Sequence, residues 1–332
     1  MLKIAIEAAR RAGQILSDNF GKPHEIRFKG PRDIVTEADL LAQNAILEAI
    51  RAHYPDHGIL AEESAKLGSQ AAVEGRPYTW LVDPLDGTTN YCRHYPSFSV
   101  SIALSHRGEV ILGVVYDPLR DQMFTAQRGQ GARLNGQRLH VSPVRVLAHT
   151  LVGFDWARRP EDRLEVARLV AGIAPEIGTM RTSGSAALGL CYVAAGWIDA
   201  YLHLSLKPWD AAAGSLIVQE AGGRVTDLAG HPWRLDSPRC LASNGFIHEE
   251  MLSIIGQPTK PMEPRASAGS ARFTERASRR QEPWYHCGEV SDSHIHRRRY
   301  YRAAGVPSAP LFGAPSLPRG KYRCAGPHHL AP

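Results

Sequence analysis

The segment Trp80-Leu81-Val82-Asp83-Pro84-Leu85-Asp86-Gly87-Thr88-Thr89-Asn90-Tyr91 constrains the rest of the chain more than any other. Its apolar triplet reads as the end of a buried strand, and two carboxylates three residues apart follow, then a glycine and two hydroxyls. A strand that stops at Val82 delivers Asp83 to a sheet edge. Pro84 restricts one φ angle and Gly87 frees another, so the chain bends and brings Asp86 back toward the same point. A helix beginning near Thr88 would turn the free amides of Gly87 and Thr88 toward an anion. Asp-Pro and Asp-Gly are also ordinary turn dipeptides, so a cation and phosphate site here requires acids from elsewhere.

The chain is long enough to supply them. Its 332 residues, 43% of them hydrophobic, can bury a large core as one domain or two. No run of 18 or more apolar residues occurs, and Met1-Leu2-Lys3-Ile4 opens directly into a helical pattern. A cytoplasmic protein without a membrane partner is expected. Cys92, Cys191, Cys240, Cys287 and Cys324 form no C-x-x-C pair, which fits reduced thiols. The net charge of +6 is not spread evenly: residues 257–332 hold 13 Lys and Arg against 5 Asp and Glu, so the first 256 residues, with 26 against 28, carry −2. The body thus shows no polyanion-binding charge.

Residues 2–19 place apolar side chains at helical spacing, and Gly21 and Pro23 end the pattern. Thr36 can cap a second helix, with Asp39 favouring its N-terminus and Ala42, Ala45, Ile46, Ala49 and Ile50 as its buried stripe. Gly58 to Ala61 is a short strand ending on Glu62-Glu63, and a surface loop over 64–79 leads to Trp80. Strands over 98–104, 110–116 and 122–126 predict an antiparallel sheet, with a hairpin at Asn135-Gly136. From about residue 145 helices and strands alternate, which suggests a second half over 146–256. Ser183-Gly184-Ser185 precedes an Ala-rich helix, 198–204 reads as a strand, and Asp210 is placed to cap a helix over 211–221. After Gly256 the character changes: 10 of the 23 prolines fall in the last 76 residues, without hydrophobic periodicity. Disorder is expected there. His286, Cys287, His294 and His296 match no standard zinc-finger spacing.

Glu62, Asp83, Asp86 and Asp210 each stand at a strand end or helix start. Clustered without cations they would repel, and at least one would hold a proton. Hard divalent cations remove that conflict, and magnesium is suited to a few carboxylates, waters and substrate phosphate. Two such ions about 4 Å apart can activate water and stabilise the leaving oxygen of a phosphoryl displacement. The chemistry inferred is phosphate monoester hydrolysis.

The chain resembles the inositol monophosphatase family of magnesium-dependent, lithium-sensitive phosphatases. The likeness rests on Ala61-Glu62-Glu63-Ser64, Asp83-Pro84-Leu85-Asp86-Gly87-Thr88-Thr89-Asn90, Pro208-Trp209-Asp210-Ala211-Ala212-Ala213-Gly214 and Asp33-Ile34-Val35-Thr36-Glu37-Ala38-Asp39. It spans residues 1 to about 256. It implies an α/β fold, an α+β layered sandwich in the αβαβα arrangement shared with fructose-1,6-bisphosphatase, and a homodimer. It also implies that Glu62, Asp83 and the Leu85 carbonyl bind a first Mg2+, and Asp83, Asp86 and Asp210 a second. Thr88 and Glu62 would orient the attacking water, and the Gly87 and Thr88 amides would hold phosphate oxygens. A third, weaker ion would lie near Lys29, Asp33 and Asp39. Glu63 reads as a solvated neighbour or a supporting partner of the metal acids.

The substrate is less constrained. The resemblance gives Gly184, Ser185 and Ala186 to the alcohol portion of a small phosphorylated substrate, with Asp86 and Asp210 on the same side. A family position that is often acidic, seven before the last metal aspartate, is His203 here, and imidazole does not reproduce a carboxylate's paired acceptance from two hydroxyls. Inositol-1-phosphate or a related phosphorylated polyol leads. Histidinol phosphate, fructose-1,6-bisphosphate, glycerol phosphates and 3′-phosphoadenosine-5′-phosphate stand as alternatives. A rival of another class is a regulatory factor that keeps the phosphatase fold and contacts RNA or an acidic protein through its basic tail.

Overall fold

The structure, a computed structural model, describes residues 1–30, 32–67 and 75–257. Helix α1 (Leu2–Asn19) forms where Ala5, Ala8, Ala9, Ala12 and Leu16 recur on one face, and all five are buried. Helix α2 (Glu37–His53) opens as the Asp39 carboxylate accepts the Thr36 backbone N–H at 2.9 Å and the Thr36 hydroxyl at 2.6 Å. The acid therefore does the capping, with Thr36 as its donor.

Both helices cover one face of a seven-stranded sheet. Its order is β3 (Gly58–Ala61), β4 (Tyr78–Asp86), β5 (Ser99–His106), β6 (Glu109–Asp117), β7 (Gln122–Gln127), β8 (Ala132–Leu134) and β9 (Gln137–Arg138). The β3–β4 pair is parallel and the others antiparallel. Trp80 and Val82 pack toward α1 and α2, and Leu81 packs toward α5 (Ala186–Ala194) and α6 (Pro208–Glu220) on the other face. A sheet covered on both faces needs consecutive apolar residues, which accounts for the Trp-Leu-Val run.

Beyond α5 and α6 lies a five-stranded sheet. Its order is β11 (Thr179–Arg181), β10 (Leu151–Phe154), β12 (Ala200–His203), β14 (Cys240–Ser243) and β13 (Arg224–Thr226). Helices α4 (Pro160–Ile173) and α7 (His248–Gly256) cover its outer face through Val166, Leu169, Ile173 and Met251. The layers thus run αβαβα. Gly113 lets β6 and α6 touch, because a Cβ there would meet the Ala213 carbonyl oxygen at 2.7 Å.

Several elements differ from the sequence reading. Strand β4 does not stop at Val82 but continues to Asp86. Asp83 pairs with Ser101 and Asp86 with Ser99, so one extra residue is accommodated as a bulge. A ribbon of β1 (Arg27–Gly30) and β2 (Asp33–Val35) forms before α2, and the expected strand over 198–204 contracts to Ala200–His203. Asp210 is not the cap residue of α6. It sits in the first turn and accepts the N–H of Lys207, the residue preceding the helix, at 2.7 Å. Cys92, Cys191 and Cys240 are free and buried. No helix among the described residues is long and apolar enough to cross a membrane. The disorder expected after Gly256, apart from Gln257, and the His286, Cys287, His294 and His296 group lie outside the described residues, as do positions 68–74 of the surface loop.

Candidate active site

Glu62 leaves the end of β3, Asp83 stands at the bulge in the adjacent β4, and Asp210 lies in the first turn of α6. These three elements meet at one end of the seven-stranded sheet. One carboxylate oxygen from each acid lies within 4.8 Å of the other two. Asp83 also accepts the Leu85 N–H at 3.0 Å, which holds the Pro84 turn closed over it.

Asp86 does not join this set among the described residues. Its carboxylate faces the start of α5, where it accepts Ser185 Oγ at 2.5 Å, the Ala187 N–H at 2.8 Å and the Ala186 N–H at 3.3 Å. A negative charge at the first amides of a helix is favourable, so Asp86 anchors the Gly184-Ser185-Ala186 segment to the bulge. Gly87 follows with φ of +99° and packs so closely that a Cβ would meet the Ser97 and Gly184 carbonyl oxygens at 3.0 and 3.1 Å. Gly184 is held from two sides. Its N–H donates to Asp155 Oδ1 at 2.7 Å, and the carbonyl before it accepts Asn90 Nδ2 at 2.8 Å.

Thr88 begins the short helix α3 (Thr88–Cys92). Its Oγ1 lies 3.1 Å from Asp39 Oδ1 and 3.1 Å from the Leu85 carbonyl oxygen. No hydrogen bond joins Thr88 to Glu62 among the described residues; the acid beside Thr88 is Asp39. Glu62 Oε1 instead accepts Lys29 Nζ at 2.8 Å and lies 3.7 Å from Arg158. Lys29 also reaches Glu63 at 2.7 Å and Asp33 at 3.6 Å, and Arg158 reaches Asp33 at 3.2 Å. Glu63 is therefore a buried ion-pair partner and not a solvated neighbour. Its side chain is only 4% exposed.

His203 ends β12, and its Nδ1 accepts the Ser205 N–H at 3.1 Å. That bond assigns the ring proton to Nε2. Burial, reinforced by Arg158, pushes the imidazole down to about 4.

The electrostatics test the fit of a cation. Burial raises Asp83 well above the usual carboxylate range, and Glu62, Asp86 and Asp210 push the same way. Burial and then Glu62 push Asp210 up to about 8. Burial lifts Asp86 to about 6 against the opposing hydrogen bonds from Ser185 and Ala187, and lifts Asp39 to about 7. Burial works against the charge on Lys29, yet Glu62 and Glu63 leave it raised. Enclosed carboxylates that strain to keep protons, all with hard oxygen donors, form a set that a divalent cation would relieve.

Sequence reasoning did not find Asp155 or Arg158. Asp155 directly follows β10, a strand-end position like that of Glu62, so the same rule applied to a third strand would have found it. Arg158 carries no local signal, since its partners Asp33 and Glu62 are distant in sequence.

The profile described as the inositol monophosphatase family matches residues 1–259. A curated relative from Pasteurella multocida, named Nus factor SuhB, is 42% identical over 260 residues, which is 77% of this chain and 95% of that protein. The extragenic suppressor protein SuhB of Bartonella henselae superposes with a TM-score of 0.72 at 34% identity, over 77% of this chain and 98% of that one. An inositol monophosphatase from Anabaena (Nostoc) superposes at 0.68 with 38% identity, over 76% of this chain and 94% of that one. The layer order, the convergence of acids at one sheet end and the span of the profile agree, and this chain belongs to the inositol monophosphatase family.

Proposed function

We propose that the chain is a magnesium-dependent phosphatase of small phosphate monoesters, with inositol-1-phosphate or a related phosphorylated polyol as substrate. The observation that carries this reading is the meeting of Glu62, Asp83 and Asp210, from three separate elements, within 4.8 Å. Such a concentration of buried carboxylates costs stability in the absence of a cation, so a fold that keeps it has a use for the cation. Magnesium would be held by Glu62, Asp83, the Leu85 carbonyl, Asp86 and Asp210, and when bound it supplies the positive charge that offsets these acids and the substrate's phosphate.

The protein's own groups account for the rest. The Gly87 and Thr88 amides lie at the turn into α3 and serve the phosphate oxygens. The Thr88 hydroxyl, donating to Asp39 Oδ1, keeps its lone pairs for a water proton, and Asp39, held near neutrality, can receive a proton through it. Glu62 stands on the metal side of that water. The segment Gly184, Ser185 and Ala186, fixed by Asp86 and Asp155, with His203 and Asp210, borders the substrate's alcohol portion. Histidinol phosphate, fructose-1,6-bisphosphate and 3′-phosphoadenosine-5′-phosphate are the competing substrates. Lithium sensitivity, a homodimeric assembly and a cytoplasmic setting belong to the same reading.

The test is phosphate release from these four esters with and without magnesium. Activity should require the metal, fall with lithium, and drop by about 100-fold or more in Asp83→Asn. Full activity of that variant would sink the reading.

A second reading, a regulatory binding factor, is favoured by the name Nus factor carried by the Pasteurella relative. That relative is covered over 95% of its length by 77% of this chain. A shared binding role therefore belongs to the matched body and not to the basic tail. RNA binding measured across a salt series, before and after removal of residues 258–332, separates the two locations.

A further inference from the structure

The acid cluster occupies one end of β3 and β4, and the other end carries a different chemistry. His57 immediately precedes β3 and Arg76 stands two residues before β4, whereas Glu62 follows β3 and Asp83 lies far along β4. At about 3.3 Å per residue, the four-residue β3 alone separates the two ends by more than about 10 Å.

Four rings stack there in one column: Tyr54, His57, Tyr78 and His106. Successive centroids are 4.9, 4.9 and 4.5 Å apart, and the interplanar angles are 16, 17 and 22°. All four residues are half-buried, so ring edges reach solvent, and no further ring covers the outer side of His106 among the described residues. Trp80 Nε1 donates to His57 Nδ1 at 3.1 Å, which leaves the His57 proton on Nε2 as an outward donor.

An open pocket of about 320 Å3 lies beside the column, lined by Arg51, Pro55, His57, Ile59 and Arg76. Arg76 is anchored through Nη1 to the carbonyls of Asp56 at 2.8 Å and His57 at 3.3 Å. The exposed guanidinium of Arg51 has no hydrogen bond or ion pair among the described residues. Neither has that of Arg107, which follows His106 at the end of the column. Three arginines thus surround stacked rings, and no acid pairs with any of the three among the described residues. Guanidinium groups recognise phosphate, and ring faces recognise bases.

We infer that this end of the seven-stranded sheet is a binding site for a nucleotide, free or as one unit of a single strand, with phosphate on Arg51 and Arg76 and the base on the His106 end of the column. The site is independent of the metal acids and does not rest on the phosphatase reading. A purely anionic ligand would use the arginines and leave the rings idle; a purely aromatic one would leave the charges idle.

The test uses the full chain in a chelator, so that metal-dependent phosphate binding is absent. A fluorescein-labelled single-stranded adenosine dodecamer of RNA is followed by polarisation, with AMP and inorganic phosphate as competitors. AMP should compete where the same concentration of phosphate does not. Arg51→Glu with Arg76→Glu should weaken binding by at least about tenfold and lower the salt slope, and His106→Ala should weaken AMP competition. Because Arg76 anchors local backbone, Arg51→Glu alone is the second variant, and both should keep wild-type melting and phosphate release. An oligonucleotide bound far more tightly than AMP identifies the strand as the source, and equal affinity identifies the free nucleotide. Absence of AMP-sensitive binding, or binding untouched by the charge reversals, overturns the inference.

Discussion

Thr88 illustrates how much a single hydroxyl can be asked to do at a crowded carboxylate site. Its Oγ1 stands between Asp39 Oδ1 and the Leu85 carbonyl, so its proton is committed and its lone pairs are the free resource. Thr88→Val removes that resource at nearly constant volume, and kcat should fall by about 100-fold, within the range assigned to positioned acid–base groups. Thr88→Ser keeps the hydroxyl and should retain most of the rate. A comparison of steady-state kcat for the two variants decides the point, because a purely structural role would make Ser the weaker substitute at the α3 N-terminus. At this scale much was legible. Glu62, Asp83 and Asp210 were found by their positions at strand ends and a helix start. The partner of Thr88 was not: the expected water-orienting acid was Glu62, and Asp39 takes the place beside it. Burial of Glu63 under Lys29 was equally hidden, since it depends on a ribbon 34 residues earlier in the chain.

Among the elements, the β4 bulge and the turn after it do the positioning. Strand β4 carries Asp83 toward the acid cluster, and the extra residue lets Asp86 turn to the α5 amides. Gly87 completes that turn at φ of +99° between two backbone carbonyls. Gly87→Ala combines a left-handed backbone with contacts of 3.0 and 3.1 Å to atoms that cannot swing away. It should cost about 1–3 kcal/mol, read as a lowered urea midpoint, and reduce kcat as Thr88 shifts. The helices and longer strands were readable because each is long enough to show its own period. The β1–β2 ribbon and the bulge were not, because two- to four-residue pairings are decided by partners and not by local preference.

For the whole molecule, the buried acids and histidines make stability depend on pH in a definite direction. His203 and His248 are both pushed down to about 4 by burial, so their contribution is complete above about 6.5 and lost as pH falls. Asp39 and Asp210 are pushed up, to about 7 and about 8, so their contribution is present below about 4 and lost as pH rises through those values. Between about 6.5 and 8 only the acids still change, and the folded state releases protons that the unfolded state has already lost. The melting temperature of the metal-free protein should therefore fall across that window, and the increment from added magnesium should grow. Melts in chelator and in magnesium at several pH values measure both. Since the family profile ends at residue 259, we propose that residues 1–256 form the catalytic body in two halves meeting near residue 145. Removal of residues 258–332 should leave melting and phosphate release unchanged, as checked on the truncated protein. The sequence by itself determined the element types, the layer class, the acid inventory and the separation of body from tail, because periodicity, capping chemistry and composition are local properties. Only the tertiary structure decided which acids face one another, that Asp86 turns to α5 while Asp39 serves Thr88, and that Lys29 and Arg158 close over Glu62. Those outcomes depend on how two sheets and the helices between them bring side chains together, and burial then sets each group's charge.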